Sequence, residues 1–194
     1  MKMFLSAIRM FVALTVLTGV IYPLVVTGIA QAVFPKRAGG SLVTVNGKVI
    51  GSALLAQRFS SDKYFWPRPS AGDDGTNYAT VPSSASNLGP TSSNLVAAVQ
   101  SRLAGFRLAN GLATNAPVPP EIVFTSGSGL DPDISPEAAR LQIDRVARAR
   151  HFSPEQTQTL AALVEQSIEP RQFGFLGEPC VNVLKLNLAL DSLR

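Results

Sequence analysis

The chain has 194 residues, 46% of them hydrophobic and 15% charged, enough for one ordinary domain and one extra element. Its formal charge of +4 is carried by Lys2, Arg9, Lys36 and Arg37, because residues 38–194 hold 13 basic and 13 acidic side chains. The pI near 9.6 therefore describes the flanks of an apolar segment, and no nucleic-acid partner is expected. One cysteine, Cys180, and one histidine, His151, exclude a disulfide framework, a structural zinc site and a His-based metal cluster. Cys180, beside Val181 and Val183, is expected to be buried and inert.

Residues 1–9 form a short tail, expected to be cytoplasmic. Residues 10–34 follow without a charge, their polar side chains being Thr15, Thr18, Tyr22, Thr27 and Gln31. As a helix this segment spans about 37 Å at about 1.5 Å per residue, against roughly 30 Å of hydrocarbon. Pro23 kinks such a helix without ending it. A cleaved secretory signal is the rival reading, and Ala30-Gln31-Ala32 resembles a cleavage site, but the apolar run is longer than an h-region. An uncleaved single-pass anchor is expected. Two basic residues flank each side, so side-chain charge does not orient it. The N-terminal amine and the short tail favour a cytoplasmic N-terminus, with residues 38–194 as one extracytoplasmic domain. Within the anchor, Gly19 and Gly28 permit close approach of a neighbouring helix, and Thr15 and Gln31 can bond across it. The threonine hydroxyls can equally return to their own helix carbonyls.

In the body, Leu42–Val45, Asn46-Gly47 and Lys48–Ile50 predict a β-hairpin with a type I′ turn. Residues 60–90, rich in Ser, Gly, Pro, Asn and Asp, predict a long irregular stretch around the aromatic knot Tyr64-Phe65-Trp66. Asn94 is expected to cap a helix ending near Asn110-Gly111, and Glu121–Thr125 to form a short strand. Ser135-Pro136-Glu137 and Ser153-Pro154-Glu155 open two further helices, the second with Gln156 completing a capping box. The first runs to Arg145, Arg148 and Arg150, with His151 as a terminal residue, and Pro170 stops the second. Val181–Leu190 is expected to be a strand with a bulge, because its alternation slips between Val183 and Leu184. The fold class is α+β: one N-terminal transmembrane helix, then a single mixed α/β soluble domain.

The sequence lacks a Walker-type phosphate loop and a Gly-x-Ser-x-Gly elbow and offers a single histidine for a serine or cysteine triad, so an independent enzyme is not expected. Thr125-Ser126-Gly127-Ser128-Gly129 before the Ser135 helix reads either as a phosphate cradle or as a connection needing positive φ. Asp131 and Asp133 offer too few oxygens for a hard cation and read as loop and cap residues. Tyr64, Phe65 and Trp66 read either as a partner contact or as core.

Taken in order, several motifs resemble KdpC, the C subunit of the bacterial Kdp potassium-transporting P-type ATPase. They are Gly19-Val20-Ile21-Tyr22-Pro23, Gly51–Gln57, Tyr64-Phe65 with Arg68-Pro69-Ser70-Ala71, and Ser86-Asn87-Leu88. Ser128–Asp131 with Ile134-Ser135-Pro136, Gln142–Arg150 and Gly177–Asp191 continue the match. Ala56 stands where the family usually has Gly, and Glu178 where it often has Gln. The resemblance implies a non-catalytic subunit in the bacterial inner membrane with a periplasmic domain. Its implied partners are a potassium-translocating channel-like subunit, an ATP-hydrolysing P-type subunit and a small peptide subunit. The family is described as a catalytic chaperone that raises the ATP affinity of the ATPase subunit. No cofactor of its own is implied; ATP is reached through that subunit, and by motif Gln142 is the residue proposed to touch nucleotide. The alternative is a membrane-tethered extracytoplasmic binding protein.

Overall fold

The computed structural model describes residues 1–72 and 83–193. They fall into two compact units, 1–52 and 53–194, so the division comes after Ser52. The middle of the irregular stretch expected over 60–90 lies outside the described residues. Its described parts, 60–72 and 83–90, contain neither helix nor strand.

The first unit opens with a continuous helical run, Lys2–Val33, long and apolar enough to cross a membrane. It begins eight residues before the expected span of 10–34. Its parts are α1 (Lys2–Val16), a π turn (Leu17–Ile21) and α2 (Tyr22–Val33). The π turn has a local cause: Pro23 has no N–H to give to Gly19, and the Tyr22 N–H reaches Leu17 O, five residues back. Thr18 Oγ1 donates to Leu14 O at 2.7 Å, the own-backbone alternative for a threonine hydroxyl. Phe34 ends the run, and α3 (Pro35–Ala38) adds one turn. The hairpin is present as β1 (Leu42–Val45) and β2 (Lys48–Ser52), turning on Asn46 and Gly47 at φ 51° and 77°. A bulge between Val43 and Thr44 shifts the register, so Val43 faces Gly51.

In the second unit, α4 (Ser93–Asn110) is capped by the Ser92 hydroxyl, not by Asn94, and closes at Gly111. The strand expected at Glu121–Thr125 is a 3₁₀ turn, Pro120–Ile122, because the ring of Pro120 sets a turn geometry and its carbonyl accepts from Val123 and Phe124. The helix opened by Ser135 is broken in two, α5 (Pro136–Arg140) and α6 (Ile143–Arg150), with Gln142 at the joint. His151 closes α6 at φ 58°, and α7 (Pro154–Gln166) starts with the expected Ser153–Gln156 capping box.

The expected strand over Val181–Leu190 is corrected most. Only β5 (Cys180–Asn182) is extended, and α8 (Val183–Ser192) follows at once. Asn182 makes the switch: its Oδ1 accepts from the Lys185 N–H at 3.1 Å as an N-cap. The apparent slip in alternation is helical spacing, since Val183, Leu186, Asn187 and Leu190 all face the interior. β5 lies between β3 (Asp133–Ile134) and β4 (Ile168–Glu169), antiparallel to both.

The core sits between these short strands and the helices. α7 packs against α5, α6 and α8, and α4 against α6. Leu160, Val164, Leu186 and Leu190 are fully buried, at about 1.5–3 kcal/mol each. At Gly129, φ is 71° and a Cβ would stand 2.5 Å from Ser84 O. The glycine-serine run is therefore a tight connection at that position, as the positive-φ reading requires.

Candidate functional site

Residues 64–66 have no strand partner, yet Phe65 is fully buried, so their backbone groups must be satisfied by side chains. Two buried amides do this. Asn187 on α8 accepts from the Phe65 N–H at 2.8 Å and donates to Phe65 O at 3.0 Å. Gln142 accepts from the Trp66 N–H at 2.7 Å and donates to Trp66 O at 3.3 Å. Its second donor goes to Ala138 O at 3.2 Å, and its Oε1 also accepts from Arg145 Nη2 at 2.6 Å. Each amide thus imitates a strand neighbour for one residue of the knot.

Arg145, 1% exposed, lies beneath this segment. Its guanidinium also donates to Asn110 Oδ1 at 3.0 Å and Asp62 O at 2.7 Å, and lies 3.9 Å from the Trp66 ring centre. Burial brings its pKa down to about 10, eased by the Asp62 charge, so it stays a cation at neutral pH. Arg150 donates to Lys63 O at 2.8 Å and Asp191 Oδ1 at 2.6 Å, while the Tyr64 hydroxyl donates to Asp191 Oδ2 at 3.1 Å. Burial first, and then the Asp191 carboxylate, raise the Tyr64 pKa. Arg145 and Arg150 of α6 therefore serve this strap, residues 62–66, beyond suiting a helix terminus, while Arg148 donates to Ala109 O at 3.1 Å.

Beside the strap, the Trp66 side chain helps line an open cleft of about 420 Å³. Arg58, Arg68 and Arg102 bring three cations to it, Phe59 and Phe106 bring aromatic walls, and Gly105 of α4 leaves an opening. Arg102 Nη1 donates to Val123 O at 3.0 Å, and Arg68 Nη1 pairs with Asp131 at 2.7 Å. Asp131 also accepts the Asp133 N–H at 3.1 Å, a loop role. Among the described residues no group of three or more His, Cys, Asp or Glu side chains is placed to hold a metal ion.

The family model for the K+-transporting ATPase c chain, KdpC, matches residues 4–192. The chain belongs to the KdpC family. Relatives named "Potassium-transporting ATPase KdpC subunit" include one from Methylococcus capsulatus, 51% identical over 191 residues and covering 98% of each chain. Others are from Rhodospirillum rubrum, 53% identical with 95% and 93% of the two chains covered, and from Mycobacterium bovis, 48% identical with 99% of each. As a KdpC chain it is an accessory subunit of the potassium-transporting ATPase rather than its catalytic chain.

The KdpC motifs now have positions. Ala56 is buried, lies outside positive φ and donates its N–H to Leu130 O at 2.9 Å; Glu178 pairs with Arg171 at 2.6 Å. Gln142 is fully buried, and its amide is engaged by the Trp66 backbone, Ala138 O and Arg145. Phe65 is core, while Tyr64 and Trp66 are half-buried against it. Thr15, Gly19, Gly28 and Gln31 all face outward on the apolar run, and a Cβ at either glycine would meet nothing within 4 Å. Cys180 is half-buried rather than buried, its Sγ 3.8 Å from Asp133 Oδ2. Asn187, Arg58, Arg102 and Gly105 were not singled out from the sequence. A glycine inside an otherwise helical pattern was the available signal for Gly105.

Proposed function

We propose that the chain stabilises the assembly of a high-affinity, ATP-driven potassium uptake complex and regulates it through contacts of its second unit. The contacts fall on the potassium-translocating subunit, outside the bacterial inner membrane, with the N-terminus in the cytoplasm. The ATP-hydrolysing subunit and a small peptide subunit complete the complex. The observation that carries this reading is the internal use of the conspicuous polar side chains. Gln142, Asn187 and Arg145 close on the chain's own backbone, and none is left to act on a substrate or nucleotide. Any effect on ATP affinity then reaches the ATPase subunit through assembly, and Gln142 is a positioning residue for the strap.

Sidedness is the test. Ser93 is exposed at the start of α4, and Cys180 is half-buried with its thiol pushed up to about 11, so background labelling is low. Ser93→Cys should react with an impermeant thiol reagent in intact spheroplasts. Reaction only after lysis would overturn the proposed orientation.

The cleft of about 420 Å³ favours a second reading, a tethered extracytoplasmic binding protein. The two separate on purification in mild detergent: a subunit stays with the complex, and a binding protein purifies alone.

A further inference from the structure

We propose that the cleft between α4 and the strap receives an acidic segment of another subunit, seated on Arg102 and Trp66. The proposal rests on the reading that the chain acts by contact within the complex. Arg58, Arg68 and Arg102 line it with no described carboxylate among the lining residues. Since Arg58 and Arg68 are engaged within the chain, Arg68 with Asp131 at 2.7 Å, the cation offered to a partner is Arg102. Arg102 has no carboxylate partner among the described residues, its bond being to the Val123 carbonyl. A guanidinium fork matches a carboxylate in plane and spacing, and aromatic walls around arginine are the usual composition of an interface anchor.

The second observation is Gly105. It lies inside α4, where glycine costs helix stability, and it lines the cleft. Nothing in its own fold requires a glycine there. Its φ is not positive, and a Cβ would meet no atom within 4 Å. The space over it is left open, and close approach of another backbone is what a helix-interior glycine permits. The occupant is therefore an extended acidic segment passing over Gly105, its carboxylate reaching Arg102.

Gly105→Leu fills the space with a better helix former, so the variant keeps its fold and loses the opening. In the purified complex, in neutral detergent, Gly105→Leu and Arg102→Glu should each lower retention of the chain at 0.5 M salt by about tenfold or more. The thermal midpoint of the Gly105→Leu chain should stay level or rise. A benzophenone amino acid in place of Phe59 should cross-link to a peptide of another subunit that carries Asp or Glu. Retention of both variants at the parental level would overturn the proposal, as would cross-links confined to phospholipid or to this chain. A parental chain that purifies alone overturns the broader functional reading as well; a parental complex indifferent to Gly105→Leu overturns only the cleft.

Discussion

The Gln142 side chain and the Trp66 backbone bond to each other in both directions, at 2.7 Å and 3.3 Å, across 76 positions of sequence. Gln142→Ala leaves a buried Trp66 N–H and an Arg145 donor without their acceptor. The expected loss is about 2–3 kcal/mol, read by urea unfolding of the full chain in detergent. The chain's single tryptophan, Trp66, reports the transition. In complexes that still assemble, the apparent KM for ATP should match the parent. A several-fold rise would assign this residue a nucleotide role.

Arg145 ties Asp62, Asn110 and Gln142 to one guanidinium, a reach that an ammonium group lacks. Arg145→Lys should therefore cost at least about 2 kcal/mol in the same measurement and alter Trp66 emission, because the stacked cation is lost. A lysine variant with parental stability would show that the charge alone suffices.

Asn182 serves a strand end, a helix start and the Ala53 carbonyl, to which its Nδ2 donates at 2.9 Å. Asn182→Ala should cost about 2 kcal/mol, combining a lost N-cap with an unpaired carbonyl. Asn182→Asp keeps the cap acceptor and should lie between parent and alanine. Equal losses for the two variants would contradict the capping role.

Cys180 gives the fold an alkaline limit. Burial, then the Asp133 charge, raise its thiol from 9.0 to about 11. The folded value lies above the unfolded one, so the thiol's contribution is complete below about pH 9 and is lost as pH rises towards 11. The thermal midpoint should fall across that window, less steeply in Cys180→Ala. Asp133→Asn should speed alkylation of Cys180 at pH 8 by lowering its pKa. Parallel pH profiles for parent and Cys180→Ala would refute the linkage.

What could be read from the sequence was what depends on neighbours. The Asn46-Gly47 turn, the Ser153 capping box, the His151 terminus and the apolar run each rest on a few adjacent residues. What escaped depends on distant ones. Val181–Leu190 mixes asparagine into an apolar decade, and only the partners of Asn182 and Asn187 show that one caps a helix and the other is buried. The aromatic knot was visible, but its division into a buried Phe65 and half-buried flanks follows from amides 76 and 122 positions away. The cleft combines residues from four parts of the chain; Trp66 and Arg68 stood out locally, but nothing near them in sequence places Arg102 and Gly105 opposite.

Replacing residues 10–34 by a polyleucine helix should lower recovery of the assembled complex if Thr15, Gly19, Gly28 and Gln31 meet a neighbouring helix. Interhelical bonds of this kind contribute around 0.6–2 kcal/mol each. Full recovery and transport would make the segment a tether only.

The π turn before Pro23 sets which of those side chains can share a neighbour. Thr15 and Gln31 are sixteen positions apart, about 160° around an unbroken α-helix at about 100° per residue, and so on opposite sides. A π turn absorbs one additional residue, which takes about 100° out of that rotation and leaves them about 60° apart. Proline at position 23 thereby acts as a phase shifter: it turns the second half of the helix so that the two polar residues look the same way. Replacing Pro23 by a residue that lets Lys2–Val33 run as one regular α-helix would return the two to about 160° apart without changing either of them.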